Sequence, residues 1–284
     1  LPERARLYRA TPGCFTADVT RAERILAHWG DLMGRDLETG VDDRLEDLNL
    51  QAVDLPKIVG DIDPSAASYL PDAIWMEVCG EVLSWEGPND EHGIPTATFL
   101  SGAGEAKIPF EHALVAWVEV ATERLRIRRP EIDDELPVEV LRSEQRGLME
   151  GLAIFARDSN VDDFSRARVG AYDGNDFAMG MLMAEPPCDV YRRVIRGMTG
   201  SAMADWMGRY PALARLLAMR VESWARAMGE LLARVDMDRD LIARVFNQGD
   251  DPGMLTEARL GRGDSHNGGR SVAMLRFADG LRLV

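Results

Sequence analysis

Residues 255–284 read LTEARLGRGDSHNGGRSVAMLRFADGLRLV, and this stretch decides the fold class. The apolar periodicity over Leu255–Leu260, Val272–Phe277 and Leu281–Val284 is that of β-strands rather than helices. Residues 278–280 suit a tight turn between the last two segments, because glycine supplies a positive φ there. We therefore predict a small antiparallel β segment at the C-terminal end of a chain that is otherwise mainly α-helical.

Helical periodicity dominates the chain upstream of this β segment. Apolar residues three and four apart form one stripe from Phe110 to Leu125, and a second helix is predicted over Val138–Phe155. The longest stripe starts at Pro211, a favourable first-turn residue, and continues to Val235. The arginines between residues 124 and 129 are expected to be solvated and to match the dipole at a helix end.

These patterns divide the chain into four parts. Residues 1–105 form an N-terminal region of short helices and loops, in which Thr20 and Glu23 have the spacing of a capping box. The other parts are an amphipathic helical region (106–235), a polar connection (236–253) and the β segment (254–284).

Composition excludes several classes of protein. The chain carries 33 basic and 48 acidic residues, a net charge of −15, which disfavours binding to nucleic acid or to an anionic membrane. No apolar run reaches the roughly 18 residues of a membrane span, and the N-terminus lacks a signal peptide. We therefore expect a cytoplasmic protein. The three cysteines are too dispersed for a C-x-x-C motif, so no metal site is predicted.

The loop GRGDSHNGGR, residues 261–270, concentrates the residues that carry chemistry. Its glycines allow a ligand to approach the backbone closely and turn amide groups toward an anion. Asp264 and His266 lie two apart and project to the same side of an extended loop, while Asn267 and Arg270 add donors. A glycine-rich, locally basic loop between antiparallel strands suits a kinase-type loop that covers phosphates.

The loop sequence allows one other interpretation and excludes three known motifs. Asn-Gly and Gly-Gly also mark ordinary polar hairpins, and this alternative remains open on composition. Neither lysine of the chain, Lys57 or Lys107, lies in a Walker A motif, and the glycines near residue 102 do not complete a dinucleotide fingerprint. Asp264, Ser265 and His266 are consecutive, so they cannot converge as a catalytic triad.

Three segments together resemble the class II (LanM-type) lanthipeptide synthetases. The specific match is GDSHNGGRSVAMLRFADGLRLV (263–284), since that family has an Asp-x-His-Asn-Gly-Gly-Arg-Ser loop leading into a strand, a tight turn and a second strand. The segments IPFEHALVAWVEVATERL (108–125) and YPALARLLAMRVESWARAMGELLARV (210–235) resemble two of its helices. The three segments occur in the family's order and spacing.

The resemblance implies a helical region that leads into the N-lobe of a dehydratase with a lipid-kinase-like core. Such enzymes use ATP and Mg²⁺ to phosphorylate Ser and Thr of a precursor peptide with a leader, and then eliminate phosphate to form dehydroamino acids. A separate C-terminal zinc domain closes thioether rings. By this resemblance Asp264 and His266 are the catalytic residues of elimination. The phosphate or ATP loop then comprises Gly263, Asn267, Gly268, Gly269 and Arg270.

The resemblance also predicts that the chain is part of a larger protein. In the family the last strand continues into Tyr-Lys-Pro-Arg, whose lysine contacts ATP, whereas this sequence ends at Val284. We expect the 284 residues alone to be inactive and to bind no cofactor. The alternatives are a non-catalytic helical scaffold whose hairpin merely resembles a phosphate loop, and a kinase-like phosphotransferase that does not eliminate.

Overall fold

The computed structural model describes residues 2–24, 27, 51–63, 73–102, 104–171, 188–261, 264, 266 and 269–284. The chain separates into two compact units, residues 1–73 and residues 74–284. The second unit contains the helical stripes, the β segment and the glycine-rich loop.

The first unit is small and is held together by side-chain bonds to backbone groups. It contains α1 (Pro2–Ala10) and the short α2 (Leu55–Val59). The Arg4 guanidinium donates to the carbonyl of Ile58 at 2.5 Å and also to that of Gly60. Residues 19–24 are helical, and the Asp18 carboxylate accepts the N–H of Arg21 at 2.8 Å. Asp18 therefore caps this helix. The predicted capping box, with Thr20 as the cap, is wrong, because the cap lies two residues earlier.

The second unit is a helical layer with a small sheet at its C-terminal end. Its helices, within the described residues, are α3 (Ile74–Leu83), α4 (Glu111–Arg128), α5 (Ile132–Glu135), α6 (Val138–Ala171), α7 (Asp189–Arg196), α8 (Met203–Arg209), α9 (Pro211–Met237) and α10 (Arg239–Phe246). Among the described residues no helix is both long enough and apolar enough to cross a bilayer.

The central helices confirm the predicted stripes, with two differences in extent. α4 and α9 follow the predicted segments within a few residues, and both are buried along most of their length. α6 continues 16 residues past the predicted end at Phe155. Its added turns are mostly polar, but Asn160 is buried and Phe164 packs against the core, so tertiary contacts maintain the helix. α10 lies within the predicted polar connection.

A buried ion-pair network joins α3, α4 and α9. Arg124 donates to both carboxylate oxygens of Glu81, at 2.7 and 2.9 Å, and to Glu222 at 2.8 Å. Arg128 donates to the other oxygen of Glu222 at 2.6 Å. Only 8% of the Arg124 side chain and 10% of the Glu222 side chain are exposed. The expectation that this arginine is solvated is wrong, because it holds three helices together.

The three-stranded antiparallel sheet confirms the predicted β segment. Its strands are β1 (Leu255–Arg259), β2 (Met274–Phe277) and β3 (Arg282–Leu283), in the order β1-β2-β3. Gly280 has a φ of +96° in the turn between β2 and β3, as predicted. Leu255, Ala258 and Phe277 belong to the main hydrophobic core, so one face of the sheet packs on the helices. The assignment of this sheet to a kinase-like N-lobe stays a prediction.

Candidate functional site

The glycine-rich loop, residues 261–270, lies between β1 and β2. Its described positions are Gly261, Asp264, His266, Gly269 and Arg270, whereas the predicted site residues Gly263, Asn267 and Gly268 lie outside the described residues. The N–H of Gly261 donates to the Ser271 hydroxyl at 2.8 Å, which brings the two ends of the loop together.

A compact turn at the end of the loop fixes the backbone of two predicted site residues. The N–H of His266 donates to the carbonyl of Arg270 at 2.8 Å, and the N–H of Arg270 donates back to the His266 carbonyl at 2.9 Å. The N–H of Gly269 also donates to the His266 carbonyl, at 3.1 Å. These amides bond within the loop, so an anion would meet the side chain of Arg270 rather than the N–H of Gly269.

Gly269 lies against α9 where a side chain has no space. Its φ is +108°, and a Cβ added there would lie 2.7 Å from the carbonyl oxygen of Ser223 and 2.8 Å from the Ser223 Cβ. Both the backbone conformation and the close approach require glycine. Gly269 was predicted to let a phosphate approach the backbone. In the structure it lets the loop pack against α9.

Arg270 contacts the same face of α9 two turns further along. Its Nε donates to an Oε of Glu230 at 2.8 Å, and Arg234 bonds the other carboxylate oxygen. The Arg270 hydrogen bond, with a further contribution from Arg234, lowers the pKa of Glu230, and Glu230 in turn raises the pKa of Arg270. One carboxylate is thus shared between two guanidinium groups.

The two predicted catalytic side chains are exposed. Asp264 and His266 both face solvent, and within the described residues neither side chain has a hydrogen-bond or ion-pair partner. The structure does not join the Asp264 carboxylate to the His266 imidazole. Both groups are accessible to a substrate that approaches the loop.

A small cavity of about 100 Å³ lies between the base of the loop and α9. Its lining includes Glu230, Arg234, Arg270 and Ser271, so the wall contains two cationic groups and one anionic group. The sequence identified Gly269 and Arg270 but not their contacts on α9, which are Ser223 for Gly269 and Glu230 for Arg270. No local signal marks them, because Glu230 lies 40 residues before Arg270 and Ser223 lies further still, and both appear in the sequence as ordinary polar positions of a helix.

Comparison with known proteins gives one partial match. The sequence model of a family described as a domain of unknown function (DUF4135) matches residues 210–284, about a quarter of the chain. No curated protein matches the chain. The matched segment contains α9, the sheet and the loop, and so includes both sides of the Gly269–Ser223 and Arg270–Glu230 contacts.

Proposed function

We propose that the chain is the N-terminal part of a lanthipeptide synthetase dehydratase, which phosphorylates Ser and Thr of a precursor peptide and then eliminates phosphate. The DUF4135 family is associated with lanthipeptide synthetases, which supports the resemblance of the loop. The observation that carries the proposal is the docked loop: Arg270 and Arg234 flank one carboxylate, while Asp264 and His266 stay exposed nearby in the chain.

The described residues fit a phosphoryl group at this loop. Glu230 accepts one hydrogen bond from each of two guanidinium groups, Arg270 and Arg234. The remaining N–H donors of Arg270 and Arg234 would hold the phosphate of ATP or of a phosphorylated peptide. Among the described residues no three His, Cys, Asp or Glu side chains converge as ligands, so no step is assigned to Mg²⁺ or Zn²⁺ here.

Elimination needs a base for the Cα proton of the phosphorylated residue and stabilisation of the departing phosphate. An imidazole can remove or return a proton near neutral pH, which suits His266 for the first task. The Arg270 guanidinium, carried on the same compact turn, suits the second. Asp264 would orient the imidazole when a substrate is bound.

We predict that His266→Ala in the whole protein causes phosphorylated precursor peptide to accumulate, because phosphorylation continues while elimination is slowed. General acid–base catalysis contributes roughly 10²–10⁴-fold, so elimination should fall by about that factor. Mass spectrometry of the peptide, incubated with ATP and Mg²⁺, measures both products. His92→Ala, a change in an exposed loop of the same unit, is the matched control. Normal dehydration by the His266→Ala protein would remove His266 from the mechanism.

A further inference from the structure

A larger cavity, of about 490 Å³, lies between α6 and α9 where β1 ends. Its lining includes Arg146, Gly147 and Gly151 of α6, Arg220 and Trp224 of α9, and Arg259 of β1. Asp264, His266 and Arg270 are not among its lining residues. The volume is in the range of small-molecule sites. We name it the arginine cavity.

Two donors among the residues that line the arginine cavity have no acceptor in the described part of the chain. Trp224 is 4% exposed, and its indole Nε1–H is buried without a hydrogen-bond partner. Among the described residues, the partly buried Arg220 guanidinium has neither a hydrogen-bond acceptor nor an ion-pair partner. The indole nitrogen has almost no accessible surface, so a ligand in the cavity would bond the Arg220 guanidinium rather than Trp224. Both unsatisfied groups lie on α9, one turn apart.

The charge of the arginine cavity is opposite to that of the chain. Three arginines line it against two glutamates, Glu144 and Glu150, within a protein of net charge −15. Both glutamates already have partners: Glu144 accepts the N–H of Leu260 at 3.4 Å, and Glu150 lies 3.7 Å from Arg146. Arg146 also pairs with Glu105, and Arg259 pairs with Glu257. No described carboxylate compensates the charge of Arg220, which favours an anionic ligand.

Glycine keeps this cavity open. Gly147 and Gly151 lie one turn apart on α6, and no atom lies within 4 Å of a Cβ added at Gly147. The Arg220 guanidinium lies over Gly151, with its Nε 3.7 Å from the position of an added Cβ. Larger residues on this face would fill the space next to the free guanidinium. Leu148 and the indole ring supply an apolar wall.

We propose that the arginine cavity binds a phosphoryl group, held by Arg220 and by the N–H groups of Arg259 that do not bond Glu257. Two guanidinium groups can together donate to three oxygens, which a phosphoryl group has and a carboxylate lacks. The group is carried either by free inorganic phosphate or by a phosphorylated serine of a peptide. The assignment does not depend on the proposed dehydratase activity, since Asp264 and His266 take no part in it.

The test is an NMR titration of the ¹⁵N-labelled chain. Its readout is the indole N–H signal of Trp224, which is assigned by its absence from a Trp224→Phe sample. The probes are inorganic phosphate, a short peptide with one phosphoserine, and the same peptide with glutamate there. Saturable shifts with phosphate alone indicate free phosphate, and binding of the phosphoserine peptide at least about tenfold tighter indicates a peptide. No shift with either probe, or equal binding of the glutamate peptide, overturns the proposal.

Two pairs of variants locate the binding. Arg220→Gln should weaken it about tenfold or more, since a hydrogen bond to a charged group is lost, whereas Arg244→Gln removes the same charge from exposed α10 and should not. Gly147→Leu fills the cavity without changing charge and should abolish binding. Gly80→Leu, at an equally open helical position of α3, should leave binding intact. Equal effects within either pair would overturn the proposal.

Discussion

Gly269 and Arg270 attach the glycine-rich loop to α9 through two different interactions. Gly269 permits van der Waals contact with the backbone at Ser223, and Arg270 forms an ion pair with Glu230. Ser223 and Glu230 lie two helical turns apart and therefore on one face of α9. Adjacent loop residues thus contact separate points of one helix, which fixes the direction in which the loop leaves the sheet.

Gly269→Ala should detach the loop from α9, because the new methyl group meets a helix carbonyl that cannot move away. Gly261→Ala is the matched control, since Gly261 also has a positive φ but no atom within 4 Å of an added Cβ. The control should lose about 1–2 kcal/mol of unfolding free energy from backbone strain. Gly269→Ala should lose about 1–3 kcal/mol more, from the added clash. Denaturant unfolding measures both, and equal losses would contradict the close approach.

The pKa of Glu230 reports the ion pair directly. Because Arg270 lowers this pKa from its usual value of 4.5, the stabilising contact is complete above that pH and is lost as the pH falls through the lowered pKa. In an Arg270→Gln protein the pKa should rise toward the usual value, although Arg234 keeps part of the shift. A carboxyl NMR titration measures it, with Arg244→Gln as the control. An unchanged Glu230 pKa in Arg270→Gln would show that the pair does not form in solution.

At the scale of elements, the helices are joined by the buried network around Arg124. Arg124→Met should cost about 3 kcal/mol or more of unfolding free energy, because Glu81 loses its partner and Glu222 keeps only Arg128. Arg126→Met is the matched control on the same helix, since its ion pair with Asp133 is largely exposed and should contribute about 1 kcal/mol or less. Thermal or denaturant unfolding compares the two. Similar losses would mean that the network around Arg124 is solvated.

Periodicity predicted where elements lie better than it predicted where they end or what they contact. The apolar stripes located α4 and α9 because burial on one face leaves a pattern in the local sequence. The extension of α6 past Phe155 depends on contacts of Asn160 and Phe164, and Arg124 is buried because carboxylates from two other helices reach it. Such contacts join residues distant in the chain, and no local pattern records them.

At the scale of the whole molecule, the candidate site consists of the glycine-rich loop, which was predicted, and the face of α9 against which it packs, which was not. The loop could be located from its glycines and its resemblance, and the structure places it between β1 and β2 as expected. The role of Gly269 could not be predicted, since the same residue type suits a phosphate loop and a close approach to a helix. Only the position of Ser223 distinguishes the two.

The measurement that tests the central proposal most directly is the fate of the precursor peptide with the unaltered whole protein. The peptide is incubated with ATP and Mg²⁺ and followed by mass spectrometry, and released phosphate is measured in parallel. We predict that Ser and Thr residues are first phosphorylated and then lose phosphate to become dehydroamino acids. A peptide that stays unmodified, or that remains phosphorylated without elimination, would contradict the proposal.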